Sequence, residues 1–136
     1  MTDTRYGFGI VLSETSFDQA LAKTRDALKQ EGFGVLTEID VRDTLQKKLG
    51  IEFRRYVILG ACNPPLAHRA LEADPDIGLL LPCNIVVQET PSQRIAVSIA
   101  DPKALFELVD NPVVAPIAAD VDQRLRRVLA SIRDRA

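Results

Sequence analysis

From Val114 to Ile132 the apolar residues Val114, Ile117, Val121, Leu125, Val128 and Ile132 recur in steps of three and four. That spacing aligns side chains along one side of an α-helix. A helix with a single apolar stripe must lay it against a matching surface, so the remainder of the chain has to supply one. Alternating segments are the source. Tyr6, Phe8, Ile10 and Leu12 share one side of a period-two pattern, with Gly7 and Gly9 on the other. The two glycines leave that other side bare, either for close approach of neighbouring backbone or as the mark of a bulge. Phe33, Val35, Thr37 and Ile39 predict a second strand. Tyr56 to Ala61 is apolar on both alternations and predicts a strand inside the sheet. Ile85 to Glu89 and Arg94 to Ala100, joined through Thr90-Pro91-Ser92-Gln93, predict a hairpin.

The helix starts are signposted by capping chemistry. Ser16-Phe17-Asp18-Gln19 has the form of a capping box, in which serine oxygen and glutamine side chain satisfy amides that the first helical turn leaves unpaired. Phe17, Leu21, Thr24 and Leu28 continue at helical spacing, and Gly32 ends the run as the residue most tolerant of a left-handed backbone. Asp40 caps a short helix that carries Val41, Leu45 and Leu49, with Gly50 stopping it. Asn63-Pro64, Asp101-Pro102 and Asn111-Pro112 repeat one device, a capping side chain followed by a proline whose missing N–H costs nothing at the first helical position. They predict a short helix from Pro64 to about Ala73, another through Val109, and the long terminal helix, with Pro116 in its first turn. Asp74-Pro75-Asp76-Ile77-Gly78 reads as a turn. With the two short helices as insertions, the order is strand, helix, four strands, helix. This predicts an α+β fold with a largely antiparallel sheet, covered by helices on one face. A doubly wound parallel sheet is the alternative, and the terminal hairpin speaks against it.

At 136 residues, the chain has room for one core and is expected to be a single domain over residues 1–136. Its 17 basic and 19 acidic side chains leave no positive excess for a phosphate backbone, so nucleic acid is not an expected partner. The apolar stretch from Ile77 to Val87 is interrupted by Gly78 and Pro82 and is too short for a membrane span, so no membrane insertion is expected. The first residues lack the basic start, apolar middle and small-residue cleavage site of an export signal, and a cytoplasmic location is the expectation. Arg124, Arg126, Arg127, Arg133 and Arg135 fall towards the end of the long helix, where positive charge suits the helix dipole, and read as a solvated helix end.

Polar chemistry is concentrated between Gly60 and His68, where an interior strand runs into a helix start. Cys62 sits there. A thiol beside a helix N-terminus feels its positive end and can lose its proton more readily than a free cysteine, although a small buried thiol packing the end of the sheet is the competing reading. His68 is the sole histidine, so an imidazole ligand or general base would have to be this residue. It also reads simply as an exposed residue on a polar helix face. Pro82-Cys83-Asn84 precedes the fourth strand. If the third and fourth strands are antiparallel neighbours, Cys83 returns to the edge of the sheet where Cys62 ends. The expected site is therefore Cys62, Asn63, His68, Cys83 and Asn84, binding a small molecule or a metal ion. Cys62, His68 and Cys83 are candidate metal ligands and equally the candidate catalytic residues of a thiol enzyme or redox sensor, with Cys62 attacking, Cys83 resolving and His68 adjusting protonation. The residues specify no cofactor. An interaction domain without chemistry is the third reading.

The turn Ala61-Cys62-Asn63-Pro64, followed by Ala67, Ala70 and Leu71, then Gly78-Leu79-Leu80-Leu81-Pro82-Cys83-Asn84, the hairpin and Asp101-Pro102, resembles the domain of unknown function 302 family, in a branch that carries both cysteines. The resemblance covers nearly the whole chain. It implies a fold similar to the TATA-binding-protein arrangement, with an antiparallel sheet against helices, and it is compatible with a homodimer. It implies no activity and no DNA binding, since shared architecture does not carry a function with it.

Overall fold

The computed structural model describes residues 3–133, so Arg135 lies outside the described residues. Five strands make one sheet. They are β1 (Gly7–Leu12), β2 (Gly34–Asp40), β3 (Tyr56–Cys62), β4 (Cys83–Glu89) and β5 (Ile95–Ala100). Their spatial order is β1-β5-β4-β3-β2, and every neighbouring pair is antiparallel. The α+β expectation holds, with β3 inside the sheet between β2 and β4. The helices are α1 (Phe17–Gln30), α2 (Val41–Leu49), α3 (Pro64–Ala73), α4 (Pro102–Phe106) and α5 (Val114–Ile132).

The apolar stripe of α5 is the spine of the core. Val114, Ile117, Val121, Leu125, Val128 and Ile132 are all buried. They belong to one cluster with the inward side chains of the sheet, among them Phe8 and Leu12 of β1, Leu59 of β3, Ile85 and Val87 of β4, and Val97 and Ile99 of β5. The register explains the alignment. Phe8 lies opposite Ile99, Ile99 opposite Ile85, and Ile85 opposite Leu59, so one apolar row crosses four strands. The capping box of α1 is complete, with Gln19 N–H donating to Ser16 Oγ at 3.1 Å and Ser16 N–H to Gln19 Oε1 at 3.2 Å. Gly32 follows α1 with φ +86°, the left-handed backbone that its position in the sequence predicts.

Gly7 and Gly9 serve close approach. A Cβ on Gly7 would lie 2.9 Å from the Ile99 carbonyl oxygen, and one on Gly9 would collide with the Val97 carbonyl.

Four expectations need correction. The alternation of β2 is broken, because its register shifts between Val35 and Thr37 and leaves Leu36 in a bulge. Asp74 to Gly78 is not a simple turn but the start of a 3-10 helix over Pro75–Leu80, with the Asp74 carboxylate accepting from Asp76 N–H at 3.0 Å. The helix after Asp101 stays α-helical only to Phe106 and tightens to 3-10 geometry over Glu107–Val109. The arginines of α5 are not a free, solvated end. Arg124 donates to the Glu31 carbonyl at 3.2 Å and Arg127 to the Glu31 carboxylate at 3.0 Å, fastening α5 to the end of α1. Arg126 pairs with Asp122 at 3.1 Å and stacks 4.0 Å above the Phe8 ring. Among the described residues, no helix is long and apolar enough to cross a membrane.

Candidate functional site

Antiparallel pairing of β3 with β4 sets Ala61 opposite Cys83, so the last residue of one strand, Cys62, and the first of the other come together at one end of the sheet. Gly60 allows the approach. A Cβ there would meet the Thr37 side chain and stand 2.8 Å from Cγ of Pro82, the residue before Cys83. The peptide between Leu81 and Pro82 is cis. Beyond Cys62 the chain turns into α3, with the Asn63 side chain accepting from Leu66 N–H at 3.3 Å and Pro64 as the first helical residue. Asn63 is buried, and its cap fixes where α3 leaves the sheet.

Cys62, Asn63 and Cys83 line one small cavity of about 20 Å³. Its remaining walls are apolar, drawn from Phe33 before β2, Leu66 and Ala70 of α3, Leu81 of the cis turn, Phe106 of α4 and Ile117 of α5. This volume admits one water-sized body and no organic molecule. Next to it opens a cleft of about 210 Å³ between the Leu79–Asn84 segment and α4, lined also by Ala100, Pro102 and Leu105. Leu81, Cys83 and Phe106 are walls of both spaces. Cys83 therefore borders two neighbouring spaces at this end of the sheet.

Of the two readings for Cys62, electrostatics favour the packed thiol over the activated one. Burial raises the Cys62 pKa above the ordinary value. Burial also pushes Cys83 up to about 11, with the charge that Cys62 would carry as a second, smaller cause. Both groups are thiols near neutral pH. Both are free cysteines.

His68 does not join them. Leu66 and Ala70 face inward from α3, and a residue two positions from each lies about 200° around the helix, on the opposite side. Its imidazole is 74% exposed and its Nε2 lies 3.0 Å from the Glu72 carboxylate, one turn along. The expected grouping of Cys62, His68 and Cys83 as metal ligands, or as a catalytic set, is corrected to the two cysteines alone. Among the described residues, no three His, Cys, Asp or Glu side chains gather where they could hold a metal ion. Asn84 is exposed and faces the cleft opposite Gly60, outside the small cavity.

Sequence reading missed the apolar half of the site. Leu81 and Phe106 form the partition with Cys83, and the run Leu79-Leu80-Leu81 beside a cysteine was the available signal. A larger concavity of about 640 Å³ lies at the opposite end of β3, between α2 and the segment leading into it. Its lining alternates Asp40, Asp43 and Glu52 with Arg42 and Arg55. Arg55 is already engaged by Asp18 at 3.0 Å and by the Phe17 ring at 4.2 Å. Opposed charges in an open cleft offer no defined receptor for one ligand, in contrast with the paired sulfurs.

The family model described as "Domain of unknown function DUF302" matches residues 9–132. A crystal structure of an uncharacterized conserved protein DUF302 from Bacillus stearothermophilus superimposes with a TM-score of 0.87. That protein is 33% identical to this chain, and the match covers 96% of this chain and 100% of the other. Among curated proteins, none matches the chain.

Proposed function

The chain belongs to the DUF302 family, and from that premise we propose that it is a binding module whose guest is held at the Cys62 and Cys83 end of the sheet. One observation carries the reading. Cys62 and Cys83, from adjacent strands at one end of the sheet, both line one small, mostly apolar cavity, and Cys83 also walls the neighbouring cleft. A concave apolar site with a few convergent polar groups is the usual anatomy of ligand recognition. The small cavity limits the guest, or the part of it that enters there, to a body of about one water's size. A metal ion fits that limit, as does a small group projecting from a molecule seated in the cleft beside Asn84. The thiol-enzyme alternative is less well supported, since nucleophilic sulfur chemistry requires the thiolate that burial opposes here. A cytoplasmic location belongs to the same proposal, because a reducing compartment keeps both sulfurs as thiols.

A homodimer is the second reading, and a separate observation favours it. Helix α2 has no buried residue, although a helix this short draws its stability from packing an apolar face. Leu36, Ile39, Leu49 and Ile51, on or beside β2 and α2, are also exposed. A second copy laid on this arm would cover them.

Native mass spectrometry of the freshly purified full chain tests both readings. The binding reading expects a retained mass that disappears on denaturation and is missing from Cys62→Ser and Cys83→Ser. The same retained mass in both variants would contradict it. The dimer reading expects twice the chain mass, and a single chain mass at all concentrations would contradict that.

A further inference from the structure

The binding reading above leaves the guest unnamed, and the walls of the cleft beside Asn84 narrow it. Resting on that reading, we propose that the cleft between the Leu79–Asn84 segment and α4 receives an uncharged organic molecule about one ring in size, with its apolar body among leucine and proline side chains and its single hydrogen-bonding group at the Asn84 amide. Charge separates this cleft from the larger concavities of the molecule. Asp40, Arg42 and Arg55 line that of about 640 Å³, Lys23 and Asp26 one of about 420 Å³ between α1 and the end of α5, and Lys103 and Asp110 one of about 380 Å³ between α4 and α5. None of the side chains around the cleft of about 210 Å³ is charged. Its walls are leucine, proline, alanine and phenylalanine, apart from the Cys83 thiol and the Asn84 amide, and burial keeps that thiol neutral. A charged guest would leave water for walls that hold no opposite charge to offset the loss of its hydration.

Size and polarity define the rest of the guest. An apolar cavity of roughly 150 Å³ is enough to hold benzene, whereas drug-sized ligands occupy about 300 Å³ or more. At about 210 Å³ the cleft lies between the two and takes one ring with a short substituent. Its inner wall is already in place, since Pro102 and Phe106 are buried and Leu105 packs against the core. Leu79 stands at its edge 89% exposed, and a seated guest removes this apolar surface from water. The amide is available to the guest. Asn84 is exposed and lies opposite Gly60, which presents no side chain to it, and among the described residues no hydrogen bond engages the Asn84 side chain. An amide offers both donors and an acceptor, so it pairs with a hydroxyl or another amide and requires no charge on its partner.

The probe is benzyl alcohol, a single ring with one hydroxyl, titrated into the reduced, isotope-labelled full chain while backbone amide resonances are followed by NMR. The expected result is a set of saturable shifts confined to the amides around the cleft, those of Leu81, Cys83, Asn84, Ala100, Leu105 and Phe106. Benzoate and benzylammonium carry the same ring with a charge and should bind at least about tenfold more weakly. Leu79→Gln, at an exposed position outside the core, should weaken benzyl alcohol binding by roughly threefold or more. Ala100→Leu, which fills the cleft, should abolish it. The amide spectrum of each variant reports whether it is folded, and Leu79→Gln decides the matter if Ala100→Leu is not. Shifts that do not saturate or that scatter over the surface, equal binding of the charged analogues, or undiminished binding in either folded variant would each overturn the proposal. If benzyl alcohol fails while native spectra still show a retained mass that depends on Cys83, the class of guest is wrong and the binding reading stands. If both fail, the site itself is wrong.

Discussion

Cys83 keeps its proton because ionisation would place a negative charge among Leu81, Phe106 and Ile117 and close to the Cys62 sulfur. The thermodynamic consequence has a definite sign. The folded-state pKa is about 11 against an ordinary value of 9.0, so between those pH values the folded chain holds a proton that the unfolded chain has lost. The stabilisation is fully present below pH 9 and falls as pH rises towards 11. Each tenfold difference in proton affinity between the two states is worth about 1.4 kcal/mol, so the full loss is on the order of 3 kcal/mol, with roughly 2 kcal/mol of it reached near pH 10.5. Urea denaturation at neutral pH and near pH 10.5 should show wild type losing that much more stability than Cys83→Ala. The variant cancels the contributions of lysine and tyrosine titration, and equal losses in the two proteins would contradict the burial of this thiol. The Ala61-Cys62-Asn63-Pro64 turn and the Pro82-Cys83-Asn84 strand start placed both cysteines at the same end of the sheet, as the strand pairing has them. Their ionisation was not legible there, because the helix start can be read from capping residues, whereas the desolvating walls come from α4 and α5, distant in the chain.

Among the elements, α5 and α2 mark the extremes of support. Leu125 is fully buried midway along α5, and Leu125→Ala should cost about 2 to 5 kcal/mol through lost transfer energy and the cavity left behind. Leu45 occupies the middle of α2, a helix with no buried residue. Leu45→Ala should cost less than about 1 kcal/mol in a monomer, since little apolar surface returns to water. Paired denaturation curves test the contrast, and a Leu45→Ala loss equal to that of Leu125→Ala would show that α2 is packed far more tightly than its exposure indicates. Both helices were legible. Val114 through Ile132 gave the stripe its period, while Asp40 and Gly50 marked the ends of α2. Burial separates them, because periodicity shows that a helix has an apolar side but not whether another element reaches it. The bulge at Leu36 was hidden for a related reason. Val35, Thr37 and Ile39 alternate in the sequence whether or not the partner strand keeps step, and only the pairing with Ala61 and Gly60 exposes the slip.

At the scale of the whole molecule, the antiparallel sheet followed from the element order, and the position of the site followed from the sheet. Pairing of β3 with β4 had to return Cys83 to the level of Cys62 once the two strands were neighbours. The same logic gave no information about His68, whose direction is set by the rotation of α3 about its own axis, with Leu66 and Ala70 turned inward. The pairing of Leu81 with Phe106 was likewise beyond reach, because it depends on where packing against α5 holds α4. The proposed binding function requires proximity: the sulfurs of β3 and β4 are expected to behave as one pair and not as two separate cysteines. Phenylarsine oxide reads this directly, since one arsenic binds two sulfurs, with release of water, only when both reach it. Reduced wild type should take up one arsenic per chain and lose both thiols to subsequent alkylation, whereas Cys62→Ser and Cys83→Ser should form no stable adduct. Wild-type thiols that remain independently alkylatable in the presence of the arsenical would contradict the pairing and, with it, the site.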